Sequence, residues 1–151
     1  MLQLTDDGRW PVHHRDQDDP ASDGCGRLAC FVSIEAVDAL GPVFPELVRS
    51  PQTSEDPEDD ARDALRVARE LYDQLVARDI GYLWEPAHPA VGQRVRDAGW
   101  VVAQGGGGTC VDVAVLYAAL CLRAQLPVWL VVQDRPGRPG HVAVAVWLGG
   151  W

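Results

Sequence analysis

Gly105-Gly106-Gly107-Gly108-Thr109-Cys110 runs without a break into Val111-Asp112-Val113-Ala114-Val115-Leu116-Tyr117-Ala118-Ala119-Leu120-Cys121-Leu122. The second half is apolar almost all round, so Cys110 to Ala124 reads as a central, buried helix. Thr109 is a good N-cap. Asp112, three residues later, resembles a capping box, with Asp in place of the usual Glu or Gln. Gln125-Leu126-Pro127 ends the helix. A glycine-rich turn that delivers a cysteine to a helix start suits a nucleophilic thiol. The positive end of the helix favours thiolate over thiol, and the glycines are expected to let a substrate backbone approach unobstructed.

Toward the C-terminus, Val128 to Val132 (VWLVV) is short and β-branched and reads as a buried strand. His141 to Leu148 reads as a second strand. Its alternation puts His141, Ala143, Ala145 and Trp147 on one face and Val142, Val144, Val146 and Leu148 on the other. Asp134 to Gly140 (DRPGRPG) joins the two as an antiparallel hairpin. The helix is expected to pack on that sheet and to bring Cys110 near His141.

Toward the N-terminus, Asp60 to Asp79 reads as an amphipathic helix. Leu65, Ala68, Leu71, Tyr72, Leu75 and Val76 form the apolar side; Arg62, Arg66, Arg69 and Asp73 take the other. Ser50 to Asp60 (SPQTSEDPEDD) is a charged linker whose acidic end suits a helix start. Gly81 to Pro89 reads as a Trp- and Pro-containing loop. Val91 to Ala98 reads as a short helix carrying Gln93, Arg94 and Arg96, the two arginines on a solvated face. Arg27 to Ala36 (RLACFVSIEA) reads as a strand. Residues 1–24, rich in Asp, Pro and Gly, are expected to be disordered, leaving 25–151 as one domain. There is no internal repeat.

The chain has 151 residues, 47% of them hydrophobic, enough for one domain with a real core. Its net charge is −9, and all of its Lys+Arg count of 13 is arginine. This balance argues against non-specific nucleic-acid binding and against attraction to anionic membranes. The polar N-terminus lacks the basic start and apolar run of a secretory signal, and no segment approaches a span of about 20 apolar residues. Four sparse cysteines, Cys25, Cys30, Cys110 and Cys121, fit a reduced cytosolic protein. The apolar ending Leu148-Gly149-Gly150-Trp151 suggests a piece of a longer protein, with other domains as partners, or a truncated gene product.

Cys110 and His141 make a nucleophile and base pair on paper. A thiolate attacks an acyl carbon, and the imidazolium protonates the leaving amine. Backbone N–H groups around Cys110 would bind the developing oxyanion. A third group usually holds the imidazole in the correct tautomer. The competing readings are weaker. A phosphate loop needs Gly-Lys-Ser/Thr after its glycines, and Thr109-Cys110 follows here. A zinc site from Cys25, Cys30 and His13 or His14 has poor spacing. Cys121 reads as a buried, inert thiol. Asp112 reads as a cap rather than a catalytic acid. Trp84, Trp100 and Trp129 read as core or groove wall. No metal and no cofactor is called for.

Gly108-Thr109-Cys110-Val111-Asp112-Val113-Ala114, the helix body Leu116 to Leu126, the strand Pro127 to Val132 and Gly140-His141 to Leu148 together resemble the transglutaminase-like superfamily of cysteine acyltransferases and peptidases. Gln93-Arg94-Val95-Arg96 is similar to a segment that precedes the cysteine motif in bacterial members. The resemblance covers residues 90–151 and, more weakly, 60–79. The separation of 31 residues between Cys110 and His141 disfavours the papain family, where it is about 130 or more. The resemblance implies an α+β fold with a papain-like core, a central Cys-bearing helix on an antiparallel sheet, incomplete at its C-terminal end. It implies Cys110 as nucleophile and His141 as general base and acid, acting through an acyl-thioester on a protein or peptide. Hydrolysis is favoured over crosslinking. Gln93, Gly108 and Thr109 are the candidates for the oxyanion site or substrate groove. The family's third residue, an Asp or Asn on the following strand, has no counterpart, because no acid or amide follows His141. The alternative is therefore a catalytically incomplete module with a binding or regulatory role.

Overall fold

In the computed structural model, the residues described are 31–42, 45, 57–85, 95–103, 106–133 and 140–148, with residues 57–60 and 103 described by their backbone alone. The elements in chain order are α1 (Ile34–Asp38), α2 (Pro57–Ala77), β1 (Gly81–Tyr82), α3 (Ala98–Ala103), β2 (Gly107–Gly108), α4 (Cys110–Arg123), β3 (Val128–Gln133) and β4 (His141–Val146). The architecture is α+β with two small sheets: β1 beside β2 in parallel, and β3 beside β4 antiparallel. Among the described residues no helix is long and apolar enough to cross a membrane.

The apolar circumference of α4 is used on both sides. Leu116, Ala119, Leu120 and Cys121 join Val37, Val101, Val102 and the buried side of α2 in the larger core cluster. Val111, Ala114 and Val115 form a second cluster with Val142, against which Leu130, Val132 and Val144 pack. The helix is held at both ends. Thr109 and Asp112 close a full capping box. At the other end Gln125 takes φ 63°, Gln125 N–H donates to Leu122 O at 2.9 Å and Leu126 N–H to Cys121 O at 2.9 Å. That pair of bonds is the Schellman ending, built here on glutamine where glycine is usual.

Helix α2 buries Ala64, Val67, Ala68, Leu71 and Leu75, an i, i+3, i+4 stripe. Leu65, Tyr72 and Val76, expected on that side, are 53%, 58% and 59% exposed. Each lies one residue, or about 100° of arc, round from the stripe, and a single layer of neighbours does not reach that far. Asp79 (φ 51°) ends the run, with its N–H donating to Val76 O at 3.0 Å.

Three further expectations need correction. Of the strand expected within Arg27 to Ala36, residues 27–30 lie outside the described residues, residues 31–33 form no strand, and α1 begins at Ile34. Ser33 caps it, accepting from Ala36 N–H at 3.0 Å, and Glu35 sits in its first turn. That local capping starts a helix at the end of the stretch. The helix expected over Val91 to Ala98 begins only at Ala98. Asp97 starts it, its Oδ1 accepting from Gly99 N–H at 2.7 Å, and residues 91–94 lie outside the described residues. Strand β3 is half-buried, not buried: Leu130 and Val132 face α4, while Trp129 and Val131 are exposed on the side that no element covers among the described residues. The hairpin register runs from Val128 opposite Val146 to Gln133 opposite His141. Trp129 and Trp147 meet edge to face on the open side, centroids 5.7 Å apart.

Candidate functional site

The approach to Cys110 explains the glycines, though not as the sequence suggests. Gly81 pairs with Gly107 and Tyr82 with Gly108, and Leu83 N–H donates to Gly108 O at 2.8 Å. Gly106 has φ 59°, and a Cβ there would stand 3.1 Å from Ile80 Cα. At Gly107 a Cβ would meet Leu83 Cδ1 at 2.8 Å; at Gly108 it would meet Asp112 Cβ at 3.1 Å and Val113 Cγ2 at 3.3 Å. The chain's own residues therefore fill the space expected for a substrate backbone. The glycines let segment 80–83 lie flat against the ribbon that leads into α4. Gly105 lies outside the described residues.

Asp112 does more than cap. Its side chain is fully buried, and its Oδ2 accepts from Thr109 N–H at 2.8 Å and from the Thr109 hydroxyl at 3.0 Å. Arg96 N–H reaches Oδ1 at 2.7 Å, and Arg96 Nη1 reaches Oδ2 at 2.7 Å. Arg96 Nη2 meets Glu85 Oε2 at 2.9 Å, and the guanidinium carbon stands 5.3 Å from the Trp100 ring centroid. Arg96 is thus not on a solvated face; its side chain is 13% exposed. Burial works against its charge, but the bonds and charges of Asp112 and Glu85 outweigh that and raise its pKa. The network ties two preceding segments to the residue pair that fixes the start of α4. Arg94 lies outside the described residues.

Cys110 is the first residue of α4 and is partly exposed. His141 is the first residue of β4, exposed. Both line one cavity of about 740 Å³, and Gly108 lines it with them. The rest of its wall is largely apolar and aromatic, including Tyr72 and Val76 of α2, Tyr82 of β1 and Tyr117 of α4. Thr109 is 2% exposed, its hydroxyl engaged with Asp112. Gln93 lies outside the described residues, as do Cys25, Cys30, His13 and His14. Among the described residues no group of three His, Cys, Asp or Glu side chains is placed to hold a metal ion.

Cys121, about three turns further along α4, is wholly buried. Burial pushes its thiol up to about 11, the neighbouring Tyr117 hydroxyl countering only part of the effect. Trp84, Trp100 and Trp129, expected as core or groove wall, are 69%, 40% and 49% exposed, and none of them lines the cavity.

Reading the sequence alone misses three groups: the Arg96–Glu85 arm of the ion-pair network, the tyrosine walls, and Gln133, the residue directly opposite His141. Only the last had a usable signal. In an antiparallel pair, directly opposed residues share a face, so counting inward from the turn pairs Gln133 with His141.

The description "transglutaminase-like superfamily" belongs to a family model that matches residues 50–151. No curated protein and no solved structure matches the chain. The matched span is well over half of the chain and takes in α2, the glycine ribbon, the Cys110 helix and the hairpin with His141; the chain belongs to the transglutaminase-like superfamily.

Proposed function

We propose that the protein is a cysteine-dependent acyl-transfer or amide-hydrolysing enzyme with Cys110 as nucleophile and His141 as general base and acid. The observation that carries this reading is that both residues, each the first of its element, line the same cavity. The Cys110 thiolate attacks the carbonyl carbon of an amide and forms the C–S bond. The N–H groups of the first turn of α4, ahead of the intrahelical ladder, stabilise the oxyanion. The His141 imidazolium gives its proton to the leaving nitrogen as the C–N bond breaks. Water or an amine then attacks the acyl-thioester, losing a proton to His141, and the thiolate leaves.

The same reading takes the fold as a papain-like core in which α4 lies on the β3–β4 hairpin, and Gln133 as the group that orients the imidazole. A second reading, a binding or regulatory module, is favoured by the alternation of β4, which leaves His141 exposed while Val142 packs with Val111, Ala114 and Val115 of α4.

The test is iodoacetamide labelling of Cys110 across pH 5.5–9, located by peptide mass spectrometry, in the wild type and in His141→Ala. Fast labelling at pH 6 that His141→Ala abolishes is the expected result. Labelling that follows an ordinary thiol near pH 8.5, indifferent to His141→Ala, would sink the enzyme reading and favour the second.

A further inference from the structure

We propose that the Cys110 cavity selects acyl substrates whose side chain next to the reacting carbonyl is uncharged and apolar, aromatic above all, and that it rejects acidic ones; this rests on Cys110 being the nucleophile. Three observations converge. First, Tyr72, Val76 and Tyr82 are 58%, 59% and 66% exposed although apolar or aromatic, and all three line this one cavity. Such a cluster leaves apolar surface in water that a bound apolar group would cover.

Second, among the described residues the wall offers an anion no cation besides His141, which the thiolate of Cys110 engages. Among the described residues no arginine lines the cavity, and the chain contains no lysine. Apart from Cys110 and the tyrosines, the only titratable side chains lining it among the described residues are Asp79 and His141. A carboxylate drawn in here would lose water and compete with the Cys110 thiolate for His141, and Asp79, with the net charge of −9, would repel it. A cationic side chain would meet Asp79 at the end of α2 and would be tolerated. Third, about 740 Å³ exceeds what one aromatic side chain needs and suits a peptide side chain with its flanking backbone. The edge-to-face pair Tyr72–Tyr117, centroids 6.3 Å apart, forms one wall against which a further ring can stack.

The experiment uses the full chain and N-acetyl dipeptidyl chloromethyl ketones that differ only in the side chain beside the reacting ketone: Phe, Lys or Glu. In each, the thiolate displaces chloride and forms a C–S bond, so the readout is the rate of mass gain at Cys110, divided by the iodoacetamide rate of the same sample. The expected order is Phe, then Lys, then Glu, with Phe ahead of Glu about 20-fold or more, the worth of one buried aromatic ring. Val76→Lys, a surface change on α2, raises the Glu rate and brings the Phe-to-Glu ratio below about threefold. Asp79→Asn, which suits the positive φ, slows the Lys probe alone. Equal Phe and Glu rates alongside normal iodoacetamide labelling overturn the substrate class and leave the nucleophile standing. A Cys110 that neither iodoacetamide nor any probe modifies overturns both.

Discussion

Removing the Asp112 carboxylate is the perturbation with the largest consequence. In Asp112→Ala the Arg96 guanidinium keeps, among the described residues, only Glu85 as an ion-pair partner, while the Arg96 and Thr109 N–H groups lose acceptors at 2.7 and 2.8 Å. Breaking one side of a buried pair costs about 3–5 kcal/mol, and an orphaned buried donor about 1–3 kcal/mol. These overlap, because the freed groups share one cavity, so a total of about 4–6 kcal/mol is expected. A domain of this size has roughly 5–15 kcal/mol in all, so the variant should be marginal. The assay is urea unfolding followed by tryptophan fluorescence, reading the midpoint at constant slope, for Asp112→Ala, Arg96→Met and the double variant. Arg96→Met leaves Asp112 with its Thr109 bonds and should cost less than Asp112→Ala. The double variant should be milder than the sum of the singles by about 2 kcal/mol or more. A loss under about 1 kcal/mol in Asp112→Ala, or additive singles, would refute the claim that this pair holds the start of α4.

Gly106→Ala should destabilise more than Gly107→Ala by about 1 kcal/mol or more in the same assay. The first adds a Cβ at φ 59° against the Ile80 backbone, whereas the second meets only the Leu83 side chain, which can rotate away. The wild type should lose stability between about pH 9 and pH 11, and Cys121→Ala should lose less. The folded thiol is raised from the ordinary 9.0 to about 11, so in that window the unfolded chain binds fewer protons than the folded one and stability falls with rising pH. The check is urea midpoints at pH 8, 9.5 and 10.5. Gln133→Ala should slow acyl transfer roughly tenfold and change the imidazole tautomer seen in the His141 nitrogen shifts, while Gln133→Asn restores part of both. Unchanged shifts would exclude Gln133 as the group that positions the ring.

The amino-acid order by itself determined the helix from Cys110 to Arg123 and its caps, because capping and termination are local: Thr109, Asp112 and the Gln125-Leu126-Pro127 stop act within a few residues of the ends they fix. The two hairpin strands were legible for the same reason, since a two-residue alternation fixes which side chains share a face. The family was legible as well, because its motif is contiguous around Cys110 and again around His141. What only the tertiary structure decided depends on groups distant in sequence. Arg96 reads as a surface cation until Asp112 and Glu85 close on it from either side of the chain. The glycine run reads as room for a substrate until Ile80 and Leu83 occupy that room. Tyr72 and Val76 read as core until the stripe beside them takes the buried positions and leaves them on a cavity wall. At positions 34–38 the helix is short, and it holds through the Ser33 cap and the core contact of Val37, the second of which depends on residues distant in sequence.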